Sequence, residues 1–145
     1  MRYTIDANLY IDAVTDPAQE EALAEFLLRW APLTHLNAVV MQELRAGART
    51  PAQVEALEAG IFERFERVRR TFGPSVAAFK ECGRVLSDLW RQDGVPFTKR
   101  PRSLVNDILI AASCRERGIT LITADQGFST LGPLLRGFRH VAPWP

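Results

Sequence analysis

Hydrophobic and polar positions along this chain shift between two periods, and the shifts predict short strands separated by helices. Residues 2–5 (Arg-Tyr-Thr-Ile) read as a strand that stops at Asp6. Asp16 as N-cap and Pro17 in the first turn open a helix to about Trp30, its inward face built from Leu23, Phe26, Leu27 and Trp30. Pro32 ends that helix, Leu33 to Leu36 reads as a second strand, and Asn37 caps a helix carrying Val40, Glu43, Leu44 and Gly47. Thr50-Pro51 starts another, with Val54, Leu57 and Ile61 turned inward. The stretch from Phe65 to Thr71 is ambiguous and has room for a short strand. Gly73-Pro74-Ser75 begins a long helix through Val76, Phe79, Leu86 and Trp90. A loop rich in Pro and basic residues runs from Gly94 to Arg102, Ser103 is expected to cap the next helix, and Gly118 ends it. Ile119 to Thr123 is the most strand-like run in the chain, Asp125 comes straight after it, and a last strand is expected near Phe138 to Val141.

Strands alternating with helices imply a parallel sheet covered on both faces. The expected fold is therefore α/β, a three-layer α/β/α sandwich with a short parallel sheet, in a single domain over residues 1–145. Composition agrees, with 47% hydrophobic and 24% charged residues, the balance of a soluble globular protein. A net charge of +1 neither demands nor excludes a polyanionic partner, so any such partner must be met by local basic clusters. Cys82 and Cys114 each fall among apolar neighbours and are expected to be buried free thiols in a reducing cytoplasm. The N-terminus lacks an apolar leader and no stretch approaches membrane-spanning length, so no membrane partner is expected.

Candidate chemistry lies in four carboxylates. Asp6 and Asp125 each follow a predicted strand at once, which places them at the carboxyl edge of the sheet, where open α/β folds bind ligands. Asp107 shares a helix face with Leu104, Ala111 and Cys114, a charge planted on an apolar stripe. Glu43 has Val39 and Val40 behind it and Ala46 and Gly47 ahead, and both helix-borne acids lie within two turns of their helix starts. Taken singly, Asp125 and Asp6 could be turn residues, Asp107 an acid favoured by the helix dipole, and Glu43 a solvated charge. Burying unpaired carboxylates is strongly unfavourable, and few Lys or Arg residues share those faces. Oxygen-only ligands suit a hard cation, Mg²⁺ or Mn²⁺.

The segments Ile5-Asp6-Ala7-Asn8-Leu9-Tyr10-Ile11, Val39 to Gly47, Asn106 to Ala112 and Leu121-Ile122-Thr123-Ala124-Asp125, with Phe128 beyond, follow the order and spacing of a known pattern along nearly the whole chain. The chain resembles a PIN-domain ribonuclease, similar to the VapC toxins of toxin–antitoxin pairs. The resemblance carries the family's acidic residues onto Asp6, Glu43, Asp107 and Asp125, as metal ligands and catalytic groups, with Asn8 and Thr123 behind them. It departs at Ala7, where the family usually has Ser or Thr, and at Gly127, where it often has a further acid. It implies a Mg²⁺- or Mn²⁺-dependent endoribonuclease in which water activated at the cation attacks an RNA phosphate, leaving 5′-phosphate and 3′-hydroxyl ends. It also implies a cognate antitoxin and a homodimer in the cytoplasm.

The flanking surfaces are less specific. Lys99, Arg100 and Arg102 precede the helix of Asp107, and with Arg45 they could position a phosphate backbone or form an ordinary solvated loop. Arg49 follows Glu43 in the same way. Arg64, Arg67, Arg69 and Arg70, interleaved with Glu63 and Glu66, read as a salt-bridged face. The helices at 17–30 and 51–66 carry apolar stripes that could exceed the needs of one core, and Trp30, Trp90 and Trp144 read as core or lid residues. His35 and His140 fall in strands and are expected to be structural. Three other readings stand: an RNA-processing PIN nuclease without antitoxin, a catalytically weak RNA- or protein-binding module, and an acid-metal phosphatase. The last would want a second carboxylate where Asn8 stands.

Overall fold

A computed structural model describes residues 1–145. Its sheet is built from five strands, all parallel, in the order β3-β2-β1-β4-β5. They are β1 (Arg2–Ile5), β2 (Thr34–Asn37), β3 (Thr71–Phe72), β4 (Ile119–Ile122) and β5 (His140–Val141). Every residue of β4 is buried, which requires cover on both faces of the sheet, and helices supply it as a three-layer α/β/α sandwich. The core joins Ile5, Leu36, Val40, Ile108, Ile110, Leu121 and Ile122, all fully buried, into one cluster of 28 residues.

The helices are α1 (Ala7–Thr15), α2 (Pro17–Trp30), α3 (Ala38–Gly47), α4 (Pro51–Leu57), α5 (Glu63–Arg67), α6 (Val76–Asp93) and α7 (Arg102–Arg117). Several starts and stops follow the caps legible in the sequence. Asp16, Asn37 and Ser75 each accept a backbone N–H at the start of their helices, and Thr50 with Gln53 forms a reciprocal capping box. Gly118 ends α7 at φ 65°, a left-handed conformation that glycine adopts without steric cost. A π-helical stretch, Glu58–Phe62, joins α4 to α5.

Other expectations need correction. The pattern after Asp6 conceals a whole helix, α1, for which Asp6 is the N-cap. Helix α7 begins at Arg102 after Pro101 with no side-chain cap, so Ser103 lies inside its first turn. The third strand is only Thr71–Phe72 and starts where the expected stretch ends. Helix α6 buries Ala78, Cys82 and Val85, packs Leu86 and Leu89 against the core, and leaves Val76 81%, Phe79 59% and Trp90 53% exposed. Trp90 is thus a surface residue, whereas Trp30 and Trp144 pack with Tyr3 and Phe26 at the core's edge. The ion pairs of the chain engage Arg84, Arg91, Arg100 and Arg115, so the expected salt-bridged face over 63–70 does not form. Both cysteines are free and buried, and His35 and His140 sit in β2 and β5 against Phe72 and Phe138. No helix is long and apolar enough to cross a membrane.

Candidate active site

Asp6 and Thr123 hold the two central strands together at their carboxyl ends. The Asp6 N–H donates to the Ile122 carbonyl at 3.0 Å, and the Thr123 N–H donates to the Val141 carbonyl at 3.0 Å, which extends the ladders one rung past β1 and β4. The Asp6 carboxylate is buried and accepts two hydrogen bonds, from the Ala7 N–H at 2.8 Å and from the Thr123 hydroxyl at 2.6 Å. The same hydroxyl oxygen accepts the Asp125 N–H at 3.0 Å. Thr123 therefore fixes the side chain of one acid and the backbone of another. Asn8, by contrast, is exposed on α1 and makes no hydrogen bond to Asp6, so of the two residues expected behind the acids only Thr123 touches one.

Asp125 caps a short turn of 3₁₀-helix over Gln126–Thr130, accepting the Gly127 N–H at 2.8 Å. A Cβ at residue 127 would stand 3.0 Å from that carboxylate oxygen, so glycine allows the fold-back that a larger residue would crowd. The two helix-borne acids are held by a clamp between α3 and α7. Asn37 accepts the Val39 N–H at 2.9 Å and donates to the Ser113 hydroxyl at 2.9 Å, tying the start of α3 to the middle of α7. Further along, Asn106 donates to Glu43 at 3.2 Å. Sequence reading gave no role to Asn106 or a contact to Gly127. Asn106 stands directly before Asp107 on the same half-buried turn, and that adjacency was the available signal.

The electrostatics tie Asp107 to each of the other three acids, and Asp6 to Glu43 and Asp125. Burial raises the Asp6 carboxyl above its ordinary value against the hydrogen bonds from Thr123 and Ala7, and the charge of Asp125 raises it further. Burial raises Glu43 against the Asn106 hydrogen bond, with Asp6 adding to the effect. Asp107 is pushed up to about 7, by burial first and then by Asp6, Asp125 and Glu43. It stands among the other three, and none of the four has a Lys or Arg ion-pair partner. As placed, the side chains do not converge into a ready-made cage of three or more metal-ligating groups. Their chemistry nonetheless fits a hard divalent cation, since all donors are oxygens and their mutual repulsion has no internal counter-charge.

Of the basic residues expected to position phosphate, Arg45, Lys99 and Arg102 are exposed and free of ion pairs. Arg100 differs. Its guanidinium is 14% exposed and bonds Asp93 at 2.6 Å, which latches the loop before α7 and removes it from the expected phosphate-positioning set.

The molecule is thus an α/β protein with a parallel sheet and with Asp6 and Asp125 directly after its strands β1 and β4. The model of the PIN domain family matches residues 3–132, and the chain belongs to that family. PIN domains are in general nucleases. Its fold is that of a chain in the DNA-bound VapBC complex of Salmonella typhimurium, at TM-score 0.68 and 18% identity over 98% of both chains. A chain of VapBC2 from Rickettsia felis, bound to a promoter DNA fragment, superposes at 0.63 with 19% identity over 98% of both. A chain of FitAB bound to the IR36 DNA fragment superposes at 0.68 with 18% identity, over 99% of this chain and 96% of that one. Among curated proteins, none matches this sequence.

Proposed function

We propose that residues 1–145 form one PIN-like nuclease domain that hydrolyses RNA phosphodiesters with Mg²⁺ or Mn²⁺, as the toxin of a toxin–antitoxin pair. The observation that carries this reading is the match to the PIN domain family over residues 3–132, together with Asp6, Glu43, Asp107 and Asp125 standing without any Lys or Arg ion-pair partner. Asp6, Glu43, Asp107 and Asp125 would hold the cation. When bound, such an ion supplies Lewis acidity towards phosphate and water. The chain's own residues do the positioning. Thr123 orients Asp6 and tethers Asp125, Asn106 orients Glu43, and Arg45, Lys99 and Arg102 offer charge to a phosphate backbone.

Two surfaces support protein partners. An apolar groove of about 750 Å³ lies between α1, α2 and the π-helical stretch running into α5, lined by Ala13, Leu23, Leu27, Leu28 and Ile61 among others. Leu28 is 89% exposed, and the hydroxyl of Tyr10, a residue lining the groove, is buried without a hydrogen-bond partner. Such a groove suits an antitoxin segment, and the similar folds occur in two-component complexes named VapBC and FitAB. The outward apolar face of α6 suits a second copy of the chain.

The test is purified protein, freed of any co-purifying antitoxin, incubated with total RNA and Mn²⁺ or Mg²⁺. Cleavage lost with EDTA and in Asp107→Asn supports the reading. RNA binding with no cleavage under any metal would instead favour the binding module.

A further inference from the structure

The opposite edge of the sheet carries a second charged feature that the acidic cleft does not use. Because all five strands run the same way, their amino ends share one edge. Arg2 opens β1, Arg70 directly precedes β3, and Arg117 precedes β4 with Gly118 between. His35 lies on β2, between the strand that Arg70 precedes and the strand that Arg2 opens. Burial lowers its proton affinity against a hydrogen bond with the Leu33 backbone, and the charges of Arg2, Arg70 and Arg117 each lower it further. The Arg2 guanidinium donates to the Arg117 carbonyl, which fixes its head at the start of β4.

None of these three arginines has a carboxylate partner. The nearest acid in sequence, Glu116, already accepts the Ser75 N–H at 3.1 Å and the Ser75 hydroxyl at 2.6 Å. Arg70 Nε and His35 Nδ1 are buried without hydrogen-bond partners. Three like charges therefore stand together without compensation, an arrangement that an external anion would stabilise.

The shape of the row selects the anion. Neighbouring strands lie about 4.8 Å apart, so the starts of β3, β1 and β4, which these arginines open or precede, are spread over roughly 14 Å along the edge. That matches an extended chain of charges better than a single small ion. Guanidinium groups suit phosphate oxygens through paired hydrogen bonds. The hollow beside Arg117 is lined by Gly73, Ser75, Glu116 and Arg117 and offers no hydrophobic side chain to an apolar partner, and its one carboxylate, Glu116, is already engaged by Ser75.

We propose that Arg2, Arg70 and Arg117 form a second contact for the phosphate backbone of a folded RNA, on the sheet edge opposite the four acids. This rests on the RNA reading above. A folded substrate reaching round the sheet would be held at both edges, whereas a short oligonucleotide in the acidic cleft would not touch the row.

Binding is best read in full-length Asp107→Asn protein, so that RNA persists, using total tRNA and a short single-stranded oligonucleotide over a range of salt. Arg2→Gln with Arg117→Gln should weaken tRNA binding and lower the slope of log affinity against log salt by roughly 1 for each guanidinium removed. Affinity for the short oligonucleotide should not change, which also shows that the variant is folded. Arg2→Lys with Arg117→Lys should keep most of the tRNA affinity, because the charges remain. Unchanged tRNA affinity and slope in the Gln pair would overturn the proposal. So would loss of binding to a poly-glutamate peptide with tRNA binding intact, which would assign the row to an acidic protein. If the Asp107→Asn parent binds neither RNA, the RNA reading itself fails, a result distinct from failure of the row alone.

Discussion

Removing the charge of Asp107 should make the metal-free protein more stable, and only above mildly acid pH. The Asp107 carboxyl is pushed from its ordinary 3.8 up to about 7 by burial and by Asp6, Asp125 and Glu43. A carboxyl held above its unfolded value destabilises the fold once the unfolded chain ionises. Stability is therefore complete below about pH 4, falls as pH rises towards about 7, and levels off beyond. A displacement of that size corresponds to roughly 4 kcal/mol. Asp107 is only half-buried, so solvent screening reduces the expected penalty to about 2 kcal/mol. Asp107→Asn keeps the shape and sacrifices no side-chain hydrogen bond of the native structure. In EDTA at about pH 8 it should melt roughly 6 °C above the parent, at about 3 °C per kcal/mol for a chain of this size. At about pH 4.5 the advantage should shrink to a degree or two, and saturating Mn²⁺ should raise the parent's melting temperature more than the variant's. Equal melting at the higher pH, or an advantage just as large in acid, would refute the placement of Asp107 among three other charges.

Four further outcomes follow from the same geometry. Thr123→Val should cost about 1–3 kcal/mol in urea unfolding, because buried Asp6 loses its 2.6 Å hydrogen bond and the Asp125 N–H its acceptor; Thr123→Ser should restore most of it. Gly127→Ala should weaken Mn²⁺ binding several-fold by calorimetry, since its Cβ would crowd Asp125 at 3.0 Å; an unchanged dissociation constant would show that Asp125 has room to move. Asn37→Ala should cost about 1–2 kcal/mol, through the lost cap of α3 and the lost bond to Ser113, seen as a lower urea midpoint. Cys82 and Cys114, both buried with thiols raised by burial, should resist a disulfide reagent at neutral pH until denaturant is added; immediate reaction of either would contradict its burial.

Local chemistry made much of this architecture legible in the sequence. The unbroken apolar run at Ile119–Ile122 marked β4, which is buried throughout, and Asn37, Ser75 and Gly118 ended or began helices where their side chains or backbone freedom suit those positions. The acids were recognisable because each interrupted an apolar pattern or followed a strand. Helix α1 was hidden because Asp6 ends a strand and caps a helix at once, although Leu9, Tyr10 and Ala13 carry its buried face. Tertiary packing alone decided the rest. Thr123 and Asp6 are 117 residues apart in the chain and Asn106 and Glu43 are 63 apart. The first pair meets because β4 lies beside β1, the second because α7 packs on α3. The same holds for α6, which buries Ala78, Cys82 and Val85 while Phe79 and Trp90 of the same helix stay exposed. Periodicity and caps act over a few residues, so the sequence reports them directly; partners, and which face of a helix is covered, depend on the order of strands, which no local signal contains.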